Sequence, residues 1–208
     1  MIAVVDYGMG NLRSVAKALE HVGADVKVTA EPADIAKADA VVLPGVGAFG
    51  RCMDNLREAG LDKPVKIAAA SGRPFLGICV GMQILFEESE EFGPVKGLGI
   101  LPGRVRRFGA DGPSVRVPHI GWNELQIHKR HPVLKGVAEG ARAYFVHSYY
   151  VDCPVDGLAV TTTVHGGEFV SAVERGSVFA TQFHPAKSQA VGLRLLDNFA
   201  AMAAGRQP

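Results

Sequence analysis

The sequence has little with which to be stapled, charged or anchored. Its 208 residues include three cysteines, Cys52, Cys79 and Cys153, with no CxxC pair and no Cys/His ligand spacing. That pattern excludes a disulfide framework and a structural zinc site, so no metal and no cofactor is expected. The formal charge is +1, and no run of Lys or Arg exceeds the pair Arg106-Arg107. Without a basic footprint for a phosphate backbone or an anionic lipid, neither a nucleic-acid nor a membrane partner is expected. No apolar run reaches the length of a membrane span. The opening Met1-Ile-Ala-Val-Val-Asp6 has neither the basic nor the long apolar part of a leader and reads as a first strand, which makes a cytoplasmic, reducing location the expectation. Repeats, low-complexity tracts and linkers are missing too. The expectation is one domain over residues 1–208, with its most exposed loop at Phe108-Gly-Ala-Asp-Gly-Pro-Ser114.

What is present suits an α/β core. The hydrophobic class makes up 48% of the chain, enough to bury a core without staples. Up to residue 90, short β-branched runs alternate with helical periodicity: a strand Ile2 to Val5, a helix Asn11 to Val22 with Leu12, Val15, Ala16, Leu19 and Val22 on one face, a stop at Gly23, and a strand Val26 to Thr29. Ala40 to Leu43 and Phe75 to Val80 are continuously apolar, as strands buried on two faces must be, which predicts a parallel sheet. From about residue 100 the strands crowd together: Val105 to Phe108, His119 to Leu125, Ala143 to Val151, Leu158 to Thr163, Phe169 to Val173 and Val178 to Phe183, before a helix near Gln189 to Met202. The fold class expected is α/β, a mixed and mostly parallel central sheet flanked by helices with an antiparallel extension, flavodoxin-like.

Two signals carry chemistry. The run Pro74-Phe-Leu-Gly-Ile-Cys79-Val-Gly-Met-Gln83 drops from a strand into Gly-x-Cys-x-Gly and then a helix, Gly81 to Glu88. It reads as a nucleophile elbow, whose tight turn requires small neighbours such as Gly77 and Gly81. At a helix N-terminus the Cys79 sulfur is expected to favour the thiolate. Its base is sought in His184, where the strand Val178 to Phe183 ends before Pro185 and where strand ends of a parallel or mixed sheet gather. Cys52 and Cys153 read as packing residues. Tyr7-Gly8-Met9-Gly10-Asn11 lacks the GxGxxG spacing of a phosphate turn. Pro44-Gly45-Val46-Gly47-Ala48-Phe49 suits either an oxyanion hole or an ordinary βα turn.

These residues resemble the class I glutamine amidotransferases along essentially the whole chain. Asp6-Tyr-Gly-Met-Gly-Asn-Leu-Arg13, Leu43-Pro-Gly-Val-Gly47, Gly77-Ile-Cys-Val-Gly-Met-Gln83, Gly121-Trp-Asn123, His147-Ser-Tyr-Tyr150 and Gln182-Phe-His-Pro185 carry the resemblance. The combination of YGMGN, GWN and HSYY narrows it to the glutaminase subunits of imidazole glycerol phosphate synthases, of histidine biosynthesis. The resemblance implies hydrolysis of glutamine to glutamate and ammonia through a Cys79 thioester, with His184 as base and then acid. Val80 and Val46 would supply the oxyanion N–H groups, and Gly45, Gly47, Gln83, Ser148 and Tyr149 would bind glutamine. Asn11, Trp122 and Lys187 would face a (β/α)8-barrel cyclase subunit that takes up the ammonia to make imidazole glycerol phosphate and AICAR in a heterodimer. For Gln83 a solvent-facing helical position, and for Trp122 a place in the core, are the ordinary alternatives.

One position departs from the resemblance. The family pattern His-Pro-Glu-Lys-Ser here reads His184-Pro185-Ala186-Lys187-Ser188, so the triad acid is missing at Ala186. Loss of the acid costs a serine triad about 10⁴ in rate. The expectation here is a slow glutaminase, unless Glu168 or Glu174 substitutes. The competing readings are a cysteine peptidase or redox-type hydrolase on the same scaffold and an amidotransferase-like interaction subunit. The Pro44 to Phe49 loop is further expected to rest with its N–H groups misdirected until the partner binds its ligand.

Overall fold

The computed structural model describes residues 1–109, 115–154 and 157–208; most of the expected loop Phe108 to Ser114 lies outside them. The first elements are β1 (Ile2–Val5), α1 (Leu12–His21), β2 (Val26–Thr29), α2 (Pro32–Lys37) and β3 (Ala40–Gly45). α3 (Phe49–Glu58), α4 (Asp62–Ala70), β4 (Phe75–Cys79) and α5 (Val80–Gln83) follow. Every residue of β1, β3 and β4 is buried, as continuous apolar strands covered on both faces must be. α1 buries Val15, Ala16 and Leu19, the centre of the stripe, and Gly23 ends it at φ +81°, a left-handed conformation that glycine adopts without a Cβ clash.

The strand order runs β2-β1-β3-β4 and then Val178–Thr181, all neighbours parallel. Val178–Thr181 is the joint of the molecule. It runs parallel to β4 on one side and antiparallel to Glu168–Arg175 on the other. Beyond it the sheet continues through Tyr149–Asp152 and Arg104–Arg107 as an antiparallel extension. α6 (Gln189–Ala203) packs on α1, while α4 packs on α2 and α3. The expected architecture is therefore the observed one.

Two elements differ from the sequence reading. Ala143 to Val151 is two strands: Arg142–His147 pairs with His119–Glu124 in a separate two-stranded sheet, and Tyr149–Asp152 joins the main sheet. The partner changes at Ser148, where His147 Nδ1 bridges to the Tyr149 carbonyl at 2.8 Å. The helix expected over Gly81 to Glu88 stops at Gln83. Ile84, Leu85 and Phe86 are buried on all sides. Their carbonyls accept N–H groups from Leu98, Gly99, Ile100 and Leu101 instead of continuing a helical ladder. A later segment of the chain has captured the backbone.

Candidate active site

The carboxyl ends of the central strands build the site. The register Gly45 opposite Cys79 puts the two at the same level of adjacent strands. Cys79 leaves β4 at φ 56° and ψ −115°, a backbone strain of the order of 1–3 kcal/mol for a residue with a Cβ and the geometry of an elbow. The turn is possible because its neighbours have no side chains. A Cβ on Gly81 would stand 1.9 Å from the Leu43 carbonyl oxygen, and one on Gly45 would stand 2.5 Å from the Gly81 nitrogen. Gly77 is less tight, its Cβ meeting the Ala180 Cβ at 3.1 Å.

The electrostatics of Cys79 reverse the expectation from the sequence. The sulfur is buried, and loss of solvent pushes its thiol up to about 12, against the opposing pull of the Val80 N–H, the Gln182 side chain and the Lys187 ammonium. With only one helical turn after it, the dipole argument for a resting thiolate loses its basis. The resting sulfur is a thiol.

His184 is placed by its backbone. Its N–H donates to the Tyr144 carbonyl at 3.0 Å, its carbonyl accepts from Ser188 Oγ at 2.8 Å, and that same oxygen receives the Tyr144 N–H at 3.0 Å. α6 closes on the following residue because Gly192 lacks a side chain: a Cβ there would stand 1.8 Å from the Pro185 carbonyl oxygen. Burial, with the Lys187 ammonium adding to it, pulls His184 down to about 4, so the ring is neutral and able to accept a proton. Among the described residues its Nε2 is buried with no hydrogen-bond partner. The two carboxylates considered as substitutes for the missing acid are engaged elsewhere: Glu174 with Lys129 and His131, and Glu168 with Thr162 and His128.

Cys79 and His184 line one cavity of about 420 Å³. Asn11, Val46, Gly47, Val80, Gln83, Ser148, Tyr149 and Lys187 line it with them. Gly45, Ala186 and Trp122 do not. Gly45 supports the elbow from the adjacent strand, Ala186 sits in the 3₁₀ turn Pro185–Lys187, and Trp122 is 39% exposed on the strand His119–Glu124, which removes the core alternative. Gln83 is buried, and its amide donates to the Tyr149 carbonyl and to Gln182 Oε1, both at 3.0 Å, so the solvent-facing alternative also falls.

The loop Pro44 to Phe49 is braced at three points. Tyr7 donates its hydroxyl to the Pro44 carbonyl at 2.7 Å, the Cys52 thiol reaches the Val46 carbonyl at 3.4 Å, and Glu91 Oε2 accepts the Phe49 N–H at 2.6 Å. Cys52 therefore does more than pack. Gly47 holds φ +87°, and a Cβ on Gly10 would meet the ring of Pro44 at 3.2 Å, so the Tyr7 to Asn11 turn serves as a wall for this loop. Glu91, His147 and Gln182 are polar site residues that the sequence analysis did not assign to the site. His147 and Gln182 had a signal, their places in His147-Ser-Tyr-Tyr150 and Gln182-Phe-His-Pro185, and Glu91 had none.

Comparison with known proteins gives the same picture. The family model of class-I glutamine amidotransferases matches residues 3–203. The chain is 54% identical over 207 residues to "Imidazole glycerol phosphate synthase subunit HisH" of Syntrophotalea carbinolica, covering 97% of this chain and 100% of the relative. It is 47% identical to the protein of the same name from Geobacillus kaustophilus, covering 99% of each. Among solved structures, a crystal structure of a glutamine amidotransferase superposes with TM-score 0.75 at 21% identity, covering 98% of this chain and 100% of the other. The glutaminase domain of Trypanosoma brucei CTPS, with bound acivicin, gives 0.69 at 20%, covering 100% and 96%.

Proposed function

This chain belongs to the class I glutamine amidotransferases, in the branch of HisH subunits of imidazole glycerol phosphate synthase, and from that premise we propose that Cys79 and His184 hydrolyse glutamine to glutamate and ammonia. The observation that carries the assignment of residues is the shared cavity, lined by a strained elbow cysteine and by a neutral imidazole with an unpaired nitrogen. His184 takes the Cys79 proton as the sulfur attacks the side-chain amide carbon of glutamine. The imidazolium then protonates the departing ammonia, leaving a thioester. Water deprotonated by the same ring attacks the thioester and releases glutamate. The Val80 N–H, already directed at the sulfur, serves the oxyanion together with an N–H of the Gly45-Val46 segment. Gly47, Ser148 and Tyr149 hold the amino-acid end of the substrate. Glu91, the one carboxylate lining the cavity among the described residues, meets its α-ammonium.

The partner is a cyclase, and we read it as a (β/α)8 barrel in a heterodimer, docked over Asn11, exposed Trp122 and Lys187. Ammonia released into bulk water is protonated and lost as a nucleophile, so the two sites are sealed together. The braces on Pro44 to Phe49 support a resting loop that turns only in the ligand-bound complex. Residues 1–208 act as one cytoplasmic domain in this reading.

The test is glutamate and ammonia release by the purified chain, alone and with the cyclase and its nucleotide ligand. Turnover is expected in the ligand-bound complex, reduced in the chain alone, and lost in Cys79→Ala. Turnover undiminished in Cys79→Ala removes the nucleophile assignment, and equal rates with and without the ligand-bound partner remove the gate. The unpaired imidazole and Ala186 favour a second reading, an interaction module without turnover. A glutamine-analogue electrophile that labels Cys79 decides for the enzyme.

A further inference from the structure

The polarity of the hydrogen bonds behind Cys79 can be read from one backbone carbonyl. The Tyr149 oxygen can only accept, so His147 Nδ1 at 2.8 Å carries its proton and Gln83 turns its amide nitrogen to that oxygen at 3.0 Å. The second N–H of Gln83 then goes to Gln182 Oε1 at 3.0 Å. With its oxygen so occupied, Gln182 is left to direct its own amide nitrogen at Cys79 Sγ, 3.7 Å away. Flipping Gln182 would set its NH₂ against that of Gln83, donor against donor. The same logic runs outward. His147 Nε2 must accept, taking the His119 Nδ1 proton at 2.9 Å, and His119 Nε2 then accepts from Asn123 Nδ2 at 3.1 Å. Gln182 is fully buried, so water offers its amide no substitute.

We propose that Gln182 is a further catalytic residue, whose amide N–H hydrogen-bonds the Cys79 sulfur and stabilises the thiolate that attacks the substrate. The proposal rests on Cys79 being the nucleophile of glutamine hydrolysis. It answers a need the site creates. The sulfur is buried, α5 is one turn long, and Ala186 stands where an acid would steady the base. An N–H bonded to a sulfur anion is charge-assisted and stronger than the same bond to the neutral thiol, so it lowers the energy of the attacking form selectively. Gln83 sets the direction of that donor.

Alkylation of Cys79 by iodoacetamide, followed on the Cys79 peptide by mass spectrometry, tests this without glutamine. The full chain is compared with Gln182→Glu, which faces the sulfur with a carboxylate, and with Gln182→Met, which keeps the volume and deletes the donor. Each unit of upward shift in the thiol removes about tenfold of the thiolate and returns part of that as nucleophilicity, a net loss of about three- to fourfold. The expected rates at a fixed pH are about threefold lower in the Met variant and about tenfold lower in the Glu variant. In the complex, kcat for glutamine falls at least as far, with KM changed less than about twofold. Folding is checked by circular dichroism, and the Met variant alone decides if the Glu variant does not fold. Alkylation rates equal to the parent's in every folded variant overturn the proposal. Alkylation slowed by the substitutions, in a parent chain that never hydrolyses glutamine, keeps the hydrogen bond and removes the glutaminase assignment instead.

Discussion

At Cys79 burial and hydrogen bonding pull in opposite directions, and burial wins in the resting site. The thiol is raised to about 12 while the nearby imidazole of His184 is lowered to about 4, so the resting pair is thiol and neutral ring. Proton transfer between them needs help that a triad obtains from its acid, which fixes the ring and stabilises the imidazolium. Ala186→Glu is therefore expected to raise glutamine turnover in the complex by about tenfold or more, and by less than the about 10⁴ that loss of the acid costs a serine triad, because a thiol gives up its proton more readily than a hydroxyl. Steady-state ammonia release measures it, and equal rates in parent and variant would mean that the missing acid costs nothing here. Cys79 and His184 were legible in the sequence because small residues flank one and a proline follows the other. The motif marked Gln182 but not its role, and nothing marked Glu91, because the direction of an amide and the lining of a cavity exist only after the strands meet.

Among the elements, the elbow depends on the approach of β3 to α5. Gly81 lies against a backbone carbonyl, which cannot rotate away as a side chain can. Gly81→Ala is expected to cost about 3 kcal/mol or more in urea denaturation, or to prevent folding, by the overpacking mechanism. Gly60 offers the control. Its φ is +68° with no atom of the described residues within 4 Å of an added Cβ, so Gly60→Ala carries only left-handed backbone strain, about 1 kcal/mol. Equal losses at the two positions would show that contact with Leu43 is not what constrains the turn. The apolar continuity of β1, β3 and β4 and the stripe of α1 announced these elements. The length of α5 did not follow from periodicity, because Leu98 to Leu101, contributed from later in the chain, take the carbonyls a longer helix would use.

For the whole molecule, the buried histidines set the acid limit. Burial lowers His119 to about 4, His147 to about 3 and His184 to about 4 from an ordinary 6.5. Groups depressed in the folded chain bind protons first in the unfolded one, so stability present above pH about 6.5 is lost as pH falls through the folded values. Each such histidine contributes up to about 1.4 kcal/mol per pH unit in that window. Thermal melts should show the midpoint falling steeply between pH about 6.5 and about 4, and less steeply in His119→Gln. A midpoint flat across that window would contradict neutral burial of the three rings. His119 and His147 belong to a cluster with Phe108, Phe145 and Phe169 that joins the two sheets, so their protonation bears on the fold as well as on the site.

The sequence by itself determined which segments are strands of a doubly covered sheet, where the chain turns too tightly for a side chain, and which sulfur and which ring stand at strand ends. Those are properties of composition and spacing within about twenty residues, where apolar periodicity and steric limits act directly. Only the tertiary structure decided that Val178–Thr181 joins the parallel and antiparallel halves, that the helix after Cys79 is cut to one turn, and that the sulfur rests as a thiol. Each of those depends on desolvation or on a backbone partner supplied from elsewhere in the chain, and such terms take a value only once distant segments have excluded water from between them.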